Sequence, residues 1–422
     1  TESNTFTIDI SDKLQIVDAN NKKPLVHMMN TNDIYEIISF FLGIKNSDEP
    51  FYVVNLTEVQ YWYQQFTKLM PSVFPYYAIK SNPDPMIVDV LAKLGCGFDC
   101  ASKDEIIMAK NTGVSNDLIL YANPVKDVES LQFARSQDVD YLTFDSQCEL
   151  DKIKLFHPDA KCIIRIKVDD SGAECKLGDK FGSIVNSNPD DDESVELLLN
   201  TAKIRKINVV GISFHVGSNT KKLGQFDKAL KNARDVYDTG KKYGLFLNII
   251  DMGGGFVPNE KTSEGVTFEQ VANEINDSIK KYFFDIPDIK FIAEPGRLFC
   301  TTSHTLVTTV IGFKTLLNTQ TKEKEYLYTI NESVYGSFNC IHFDHALPKI
   351  LPFNERNEKT FKSVVSGPTC DATTDIINKE IFLPKLAVGD KLFVENFGAY
   401  TIGVQIRFNG FRNPKIHYIV NY

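Results

Sequence analysis

Eight short apolar runs recur along the chain, and helix-like stretches separate them. Each run ends at or beside a polar or charged residue. The runs comprise residues 74–80, 97–99, 118–121, 141–145, 161–167, 209–215, 245–251 and 289–294. Strands that alternate with helices predict a parallel sheet, and eight such units predict a (β/α)8 TIM barrel of the α/β class. Active sites of such barrels lie where the strands end, so the ends of these runs supply candidate functional residues.

A chain of 422 residues is long enough for two domains. The barrel pattern covers residues 56–300, and capping-box patterns that start at Ser102, Ser146 and Thr267 predict three of its helix N-termini. Residues 301–422 contain strand-like runs without long helices between them, at 305–313, 325–330, 361–365, 391–395 and 415–420. We expect a second, β-rich domain here. The N-terminal segment 1–55, with β-like pieces at 6–10 and 51–54, is predicted to complete it.

Composition restricts the partners and the location of the protein. The formal net charge is −9, and no basic patch interleaved with aromatic residues is present, which argues against nucleic-acid binding. No apolar run approaches the roughly 20 residues that a membrane-spanning helix needs, and the first residues lack the features of a signal peptide. The eight cysteines lack metal-ligand spacing, so we expect reduced thiols and no metal site. These patterns predict a cytoplasmic protein that binds small molecules or other subunits.

The ends of strands seven and eight carry the strongest local signal for an anion site. Gly253, Gly254 and Gly255 follow strand seven, while Gly296 and Arg297 follow strand eight. Successive glycines let backbone N–H groups approach an anion, because no side chain intervenes. A tight turn required for packing would explain the glycines equally well. The neighbouring guanidinium, which suits phosphate oxygens, favours a phosphate site.

Lys80 ends strand one, and lysine is an ordinary residue on any surface. At a barrel mouth, however, desolvation lowers the pKa of a lysine and makes its amine nucleophilic, as a Schiff-base lysine requires. A Schiff-base lysine together with a phosphate site is typical of two classes of enzyme: pyridoxal phosphate enzymes, and aldolases that act on a phosphorylated sugar. Glu294 favours the former, because an acid can pair with the pyridine nitrogen of the cofactor. His215 either stacks on the ring or is a core histidine, and Arg165 is an inward charge that needs a partner.

Eight motifs taken together resemble the ornithine decarboxylase family, whose members use pyridoxal 5'-phosphate and combine a barrel with a β-rich domain, as alanine racemase does. The motifs occur in the order and spacing of the family over nearly the whole chain. They are Tyr77-Ala-Ile-Lys80, Gly97-Phe-Asp-Cys-Ala-Ser-Lys103, Ser213-Phe-His-Val-Gly-Ser218, Gly253-Gly-Gly-Phe256, Ala293-Glu-Pro-Gly-Arg297, Val334-Tyr-Gly-Ser-Phe-Asn-Cys340, Gly367-Pro-Thr-Cys-Asp371 and Gly398-Ala-Tyr-Thr401.

The resemblance implies a set of cofactor-binding residues: Lys80 as the Schiff-base lysine, Glu294 at the pyridine nitrogen, His215 on the ring, Asp99, Glu105 and Arg165 as supporting residues, and Ser218, Gly253, Gly254, Gly255, Gly296, Arg297 and Tyr400 around the phosphate. It further implies decarboxylation of L-ornithine to putrescine and CO2 in a homodimer. Cys370 of one subunit would supply the final proton to the site of the other subunit.

Tyr335, Asp344 and Asp371 would bind the substrate if the resemblance holds. A diamino acid carries a second positive charge far from the reacting carbon, and a desolvated site needs nearby negative charge to accept it. Either aspartate alone would more often be a loop residue. Diaminopimelate, with its distal carboxylate, should be repelled by the two aspartates.

Two alternatives stay open. One is a decarboxylase of lysine, arginine or another basic amino acid, and the other is a regulatory paralogue that kept the fold but lost activity. The chain also departs from the family pattern near the substrate end: Ala372 follows Asp371 where the family usually has glycine. Val257 separates Phe256 from Pro258, and Glu332-Ser333 stands in place of Asp-Gly. The Ala372 departure lies beside the substrate end, where fine substrate specificity is set.

Overall fold

A computed structural model describes residues 24–44, 48–185, 188, 191, 194–220, 222–258, 266–317, 322–354 and 358–421. The strand predicted at residues 6–10 lies outside the described residues. The chain divides into two compact units. We call Gln60–Phe299 the barrel unit, and Thr1–Val59 together with Cys300–Tyr422 the β-rich unit.

The strands are, in chain order, β1 (Val26–Met29), β2 (Phe51–Asn55), β3 (Val73–Ala78), β4 (Gly97–Cys100), β5 (Ile119–Tyr121), β6 (Tyr141–Phe144), β7 (Lys161–Arg165), β8 (Ala173–Cys175), β9 (Asn208–Ser213), β10 (Ser218–Thr220), β11 (Ile249–Asp251), β12 (Lys290–Ala293), β13 (His304–Leu317), β14 (Lys324–Ile330), β15 (Leu351–Pro352), β16 (Thr360–Ser366), β17 (Ile376–Pro384), β18 (Lys391–Val394) and β19 (Lys415–Asn421).

The α-helices are α1 (Ile34–Ile44), α2 (Leu56–Leu69), α3 (Pro85–Lys93), α4 (Lys103–Asn111), α5 (Val128–Ser136), α6 (Gln147–Phe156), α7 (Val195–Ile204), α8 (Gln225–Lys242), α9 (Phe268–Phe283), α10 (Arg297–Cys300) and α11 (Cys340–Phe343). In the described part of the chain, none of them combines the length and the apolar character that crossing a bilayer demands.

The predicted (β/α)8 barrel is confirmed. Eight strands close in the order β11-β12-β3-β4-β5-β6-β7-β9, and all neighbours are parallel. Every predicted apolar run overlaps one of these strands. The largest difference is at run 245–251, where only Ile249–Asp251 is a strand. The start of that run belongs to the end of α8 instead, because the Leu245 N–H donates to the Gly240 carbonyl at 3.0 Å.

The three helix N-caps that the sequence predicts all form, but only one predicted capping box is complete. Thr267 and Gln270 exchange both hydrogen bonds at the start of α9. At the start of α4, Ser102 accepts the Glu105 N–H, whereas the Glu105 carboxylate turns to the N–H of Ala101 at 2.5 Å. The side chain of Glu105 thereby points to the end of β4 rather than to its own cap.

The predicted β-rich architecture of the second unit is also confirmed. Its nine-stranded mixed sheet follows the order β1-β19-β2-β13-β14-β16-β17, and β18 pairs with both β13 and β15. The sequence did not predict β1, β15 or β17. It also missed helix α1, whose Ile37, Ile38 and Phe41 pack with Phe51 and Val307 in the core of this unit. The helical spacing of these apolar residues, i, i+1 and i+4, was visible in the sequence.

Candidate active site

The interior of the barrel changes from apolar to charged along its strands. Five interior residues, Tyr76, Leu120, Ile163, Ile249 and Ile292, form one apolar cluster. Because side chains alternate along a strand, the residues two positions further on face the same interior. They include Arg165, Asp251 and Glu294. The charged groups therefore occupy the C-terminal end of the barrel, where active sites of this fold lie.

Lys80 lies in a short 3-10 turn, Ile79–Ser81, immediately after β3. Its Nζ contacts Asp99 Oδ2 at 2.5 Å, and the side chain of Lys80 is 42% exposed whereas that of Asp99 is fully buried. The Lys80 amine thus reaches solvent while a carboxylate on β4 holds it. Glu105 lies nearby, since the charges of Asp99 and Lys80 influence its pKa, which burial raises above the usual value.

Asp251 and Glu294 form a buried acidic pair at the C-terminal ends of the neighbouring strands β11 and β12. Asp251 is completely buried, and its Oδ1 accepts the Gly253 N–H at 3.0 Å. Burial raises the pKa of Asp251 to about 7. Burial, followed by the charges of Asp251 and Asp99, raises the pKa of Glu294 well above its usual range. Two buried like charges repel each other, so at neutral pH the pair retains a proton.

Arg165 and His215 complete the charged layer. Burial lowers the pKa of Arg165, while the carboxylates of Glu294, Asp145 and Asp99 oppose that effect. Burial, followed by the positive charges of Arg165 and Lys80, lowers the pKa of His215 well below its usual value. The imidazole is therefore neutral. Its Nδ1 accepts the Gly217 N–H at 3.0 Å, which assigns the ring proton to Nε2.

The glycine turn after β11 packs tightly against the end of strand β9. Gly253 and Gly255 have φ values of +59° and +108°, which side chains with a Cβ rarely adopt. A Cβ at Gly254 would lie 2.9 Å from His215 Nε2, so any other residue would displace the imidazole. Beside this turn, Arg297 Nη2 donates to Ser218 Oγ at 3.1 Å. The predicted anion-binding residues are thus partly assembled within the barrel unit.

A second group of predicted site residues meets within the β-rich unit. The Tyr335 hydroxyl donates to Asp371 Oδ2 at 2.5 Å. The N–H of exposed Cys370 donates to Asn409 Oδ1 at 2.9 Å. Phe408, beside Asn409, packs its ring against that of Tyr335 with centroids 4.4 Å apart. Three loops that are distant in sequence therefore converge on Cys370 and Asp371.

Asp344 and Tyr400 also belong to the β-rich unit. Asp344 is buried and ends helix α11, where its N–H donates to the Cys340 carbonyl at 3.0 Å. Tyr400 is half-buried, and its backbone has a left-handed φ of +56°. Only special local contacts stabilise this conformation in a non-glycine residue, and it often marks functional segments.

Comparison with known families identifies the barrel unit. Residues 56–301 match the model of the pyridoxal binding domain of pyridoxal-dependent decarboxylases. The chain belongs to this family.

Relatives in the family resemble the chain along nearly its whole length. Ornithine decarboxylase of Rattus norvegicus is 40% identical over 391 residues, covering 90% of this chain and 82% of the rat protein. Antizyme inhibitor 2 of Xenopus laevis is 37% identical over 394 residues, covering 92% of this chain and 84% of that protein. Among solved structures, arginine decarboxylase of Paramecium bursaria Chlorella virus, bound to agmatine, has a TM-score of 0.83 and 35% identity, covering 91% of this chain and 100% of that chain.

The barrel residues fit pyridoxal phosphate, the cofactor of this family of decarboxylases. Lys80 supplies an accessible amine. A Cβ at Gly255 would lie 2.8 Å from the Gly217 carbonyl, so only glycine fits here, and the turn can present its backbone N–H groups to a phosphate. Buried polar atoms normally have partners. Among the described residues, Asp99 Oδ1 and Ser213 Oγ are buried without a hydrogen-bond partner. These atoms are available to a bound polar group.

Two features of the site were not predicted from the sequence. Asp251 received no role, although its position at the end of β11, directly before the glycine turn, was a usable signal. Thr373 received no role either, yet its N–H and hydroxyl both donate to Asp371 Oδ1 at 2.9 Å. No sequence pattern indicated that contact, because a threonine two residues after an aspartate is common in loops.

Proposed function

We propose that this chain catalyses the pyridoxal phosphate-dependent decarboxylation of L-ornithine to putrescine and CO2. The observation that carries the proposal is the Lys80–Asp99 ion pair at 2.5 Å, located at the same end of the barrel as the buried Glu294. The 40% identity to rat ornithine decarboxylase supports ornithine as the substrate. A chain that contributes both an amine and a buried acid meets the two demands of this cofactor.

The barrel residues have distinct tasks in the proposed reaction. When bound, the cofactor withdraws electrons from the substrate carbon as CO2 leaves. Lys80 would hold the cofactor through its amine, which Asp99 orients through the 2.5 Å ion pair. Glu294 would pair with the ring nitrogen and could hold or release a proton there, and neutral His215 would adjoin the ring without adding charge. The proposed phosphate ligands are Ser218, Gly253, Gly254, Gly255, Gly296, Arg297 and Tyr400.

The proposed substrate residues come from the β-rich unit. Asp371 and Asp344 bind the distal ammonium of ornithine, and Tyr335 supports Asp371 through the 2.5 Å hydrogen bond. The thiol of Cys370 delivers the proton that replaces CO2. Cys370 is exposed in its own chain, which suits a group that acts in the site of a second subunit.

We infer a homodimer from the same surface. Ile406, Phe408 and Phe411 are exposed apolar side chains in the segment that carries Asn409, the partner of Cys370. Exposed apolar residues grouped around functional residues mark interaction sites. A mixture of Lys80→Ala and Cys370→Ala chains, each inactive alone, should recover roughly a quarter of the parent activity, because one of the two sites in each mixed dimer contains both residues. Absence of recovery after proven subunit exchange would exclude a shared site.

One experiment tests the function itself. Apo chain is titrated with pyridoxal phosphate while visible absorbance is recorded, and 14CO2 release is then measured from carboxyl-labelled ornithine, lysine and arginine. We expect release from ornithine and its loss in Lys80→Ala. Lys93→Ala is the matched control, because Lys93 also forms a 2.5 Å ion pair, with Asp89, but on helix α3. That variant should retain activity.

The outcomes separate the alternatives. Release from lysine or arginine but not ornithine would retain the reaction and change the substrate. Cofactor binding without release from any of the three would contradict decarboxylation of basic amino acids. A chain without a cofactor signal would support the regulatory paralogue, which the similarity to antizyme inhibitor 2 keeps as the second candidate.

A cytoplasmic location is part of the proposal. All eight cysteines are free thiols, and five of them are buried. Proteins of oxidising compartments usually pair their cysteines. Fractionation of cells that express the chain tests the location.

A further inference from the structure

Asp371 accepts four hydrogen bonds, which its two oxygens share unequally. Oδ1 receives three: the Thr373 N–H, the Thr373 hydroxyl and the Thr374 N–H, each at 2.9 Å. Oδ2 receives one, from the Tyr335 hydroxyl at 2.5 Å. A carboxylate has about four acceptor positions, two on each oxygen. Oδ1 is therefore saturated, whereas Oδ2 retains capacity for one more donor.

The base of this arrangement is fixed by a buried aspartate. The Asp375 carboxylate accepts the Thr369 N–H at 3.0 Å and the Thr369 hydroxyl at 2.6 Å. It also accepts the Val334 N–H at 3.1 Å, so it joins the loop before Asp371 to the loop that carries Tyr335. The contact between Tyr335 and Asp371 thus belongs to a supported geometry. What remains adjustable is the rotation of the Asp371 carboxylate itself.

We propose that Thr373 is a positioning residue for substrate specificity. Its hydroxyl holds Asp371 Oδ1, so that Asp371 Oδ2 and the Tyr335 oxygen together bind the distal ammonium of the substrate. This inference rests on the proposed function. The hydrogen bonds of Tyr335, Thr374 and Thr373 also lower the pKa of Asp371, which keeps the carboxylate charged when the ammonium arrives. The distal ammonium of the substrate would therefore contact Asp371 Oδ2, which is charged and can still accept a hydrogen bond.

The hydroxyl of Thr373 has a role that the backbone cannot replace. Without it, Oδ1 keeps two N–H donors from consecutive residues, and these allow the carboxylate to turn about its Cβ–Cγ bond more freely. A loop with glycine or an apolar residue at this position lacks that donor. The departure from the family pattern at Ala372 lies directly beside this donor.

The experiment compares Thr373→Val, which removes the hydroxyl at constant shape, with Thr373→Ser, which keeps it. The KM for ornithine and the inhibition constant of 2-aminopentanoate, which has the same carbon chain without the distal amine, are measured for each holoenzyme. We expect Thr373→Val to raise the ornithine KM about 5-fold, the typical net effect of losing one hydrogen bond. Its kcat and the inhibition constant should stay near the parent values, and Thr373→Ser should restore the KM.

Other outcomes overturn the inference. A parallel rise of the ornithine KM and of the inhibition constant would show a general structural role for Thr373. An unchanged ornithine KM in Thr373→Val would show that the hydroxyl has no part in binding. If the parent chain itself releases no CO2 from ornithine, the proposed function fails and this inference fails with it. Thermal unfolding of each variant checks that the exposed substitution leaves the fold intact.

Discussion

The two acidic sites of this chain control the charge of their carboxyl groups in opposite ways. In the barrel unit, burial raises the pKa values of Asp251 and Glu294, so the pair retains a proton near neutral pH. In the β-rich unit, hydrogen bonds from Tyr335 and the residues after Asp371 lower the pKa of an aspartate near the surface. Desolvation thus yields an acid that exchanges protons, and hydrogen-bond donors yield a permanent anion. The former suits a ring nitrogen, and the latter suits an ammonium group.

The largest expected effect is at Glu294. In Glu294→Gln, the amide cannot exchange a proton with the cofactor ring, so we expect kcat/KM for ornithine to fall about 100-fold to 1000-fold. The apo chain should nevertheless be at least as stable as the parent at pH 8, because a buried acid has been removed. Steady-state kinetics and thermal unfolding measure both quantities. An unchanged kcat/KM would show that Glu294 does not act on the cofactor, and the contrast between the two acidic sites would then fail.

A smaller effect is expected at Asp371. Asp371→Asn removes the anion but keeps the shape of the side chain, so the KM for ornithine should rise about 10-fold to 100-fold. Cofactor affinity, measured by absorbance titration, should stay at the parent value. A loss of cofactor binding would place Asp371 in the cofactor site and contradict the division of tasks.

The smallest effect concerns stability of the apo chain against pH. The folded pKa of Asp251 is about 7, above its usual 3.8, so the folded state binds a proton more tightly than the unfolded state. This contribution to stability is complete below about pH 4 and is lost as pH rises to about 7. Urea unfolding at pH 5 and pH 8 should show this loss in the parent and a smaller loss in Asp251→Asn.

Asp371→Asn is the matched control for that measurement. Because the folded pKa of Asp371 is lowered, its contribution is present above its usual pKa and is lost only as pH falls below it. The variant should therefore keep the parent slope between pH 5 and pH 8. Equal slopes in all three chains would show that burial does not control the charge of the barrel pair.

Local sequence patterns were sufficient for the barrel, and they singled out several of its proposed site residues. The eight apolar runs reflect strands buried on both faces, and the N-caps at Ser102, Ser146 and Thr267 depend on residues within one helical turn. Lys80, Asp99 and Glu294 were candidates because strand ends are visible in the sequence. Helix α1 was missed because isoleucine and phenylalanine favour strands, and packing against the sheet of the β-rich unit outweighs that preference.

The charge states and the donors of the two acidic sites were decided only by the tertiary structure. Tyr335 and Asp371 are 36 residues apart, and Asp375 joins the loops that carry them. Asp251 and Glu294 become a pair only when β11 and β12 lie side by side. Apolar periodicity and helix caps arise between neighbours in the chain, so the amino-acid sequence alone determined the barrel and its strand ends. Desolvation and long-range hydrogen bonds arise only from packing, and they decide which of its carboxyl groups hold protons and which remain charged.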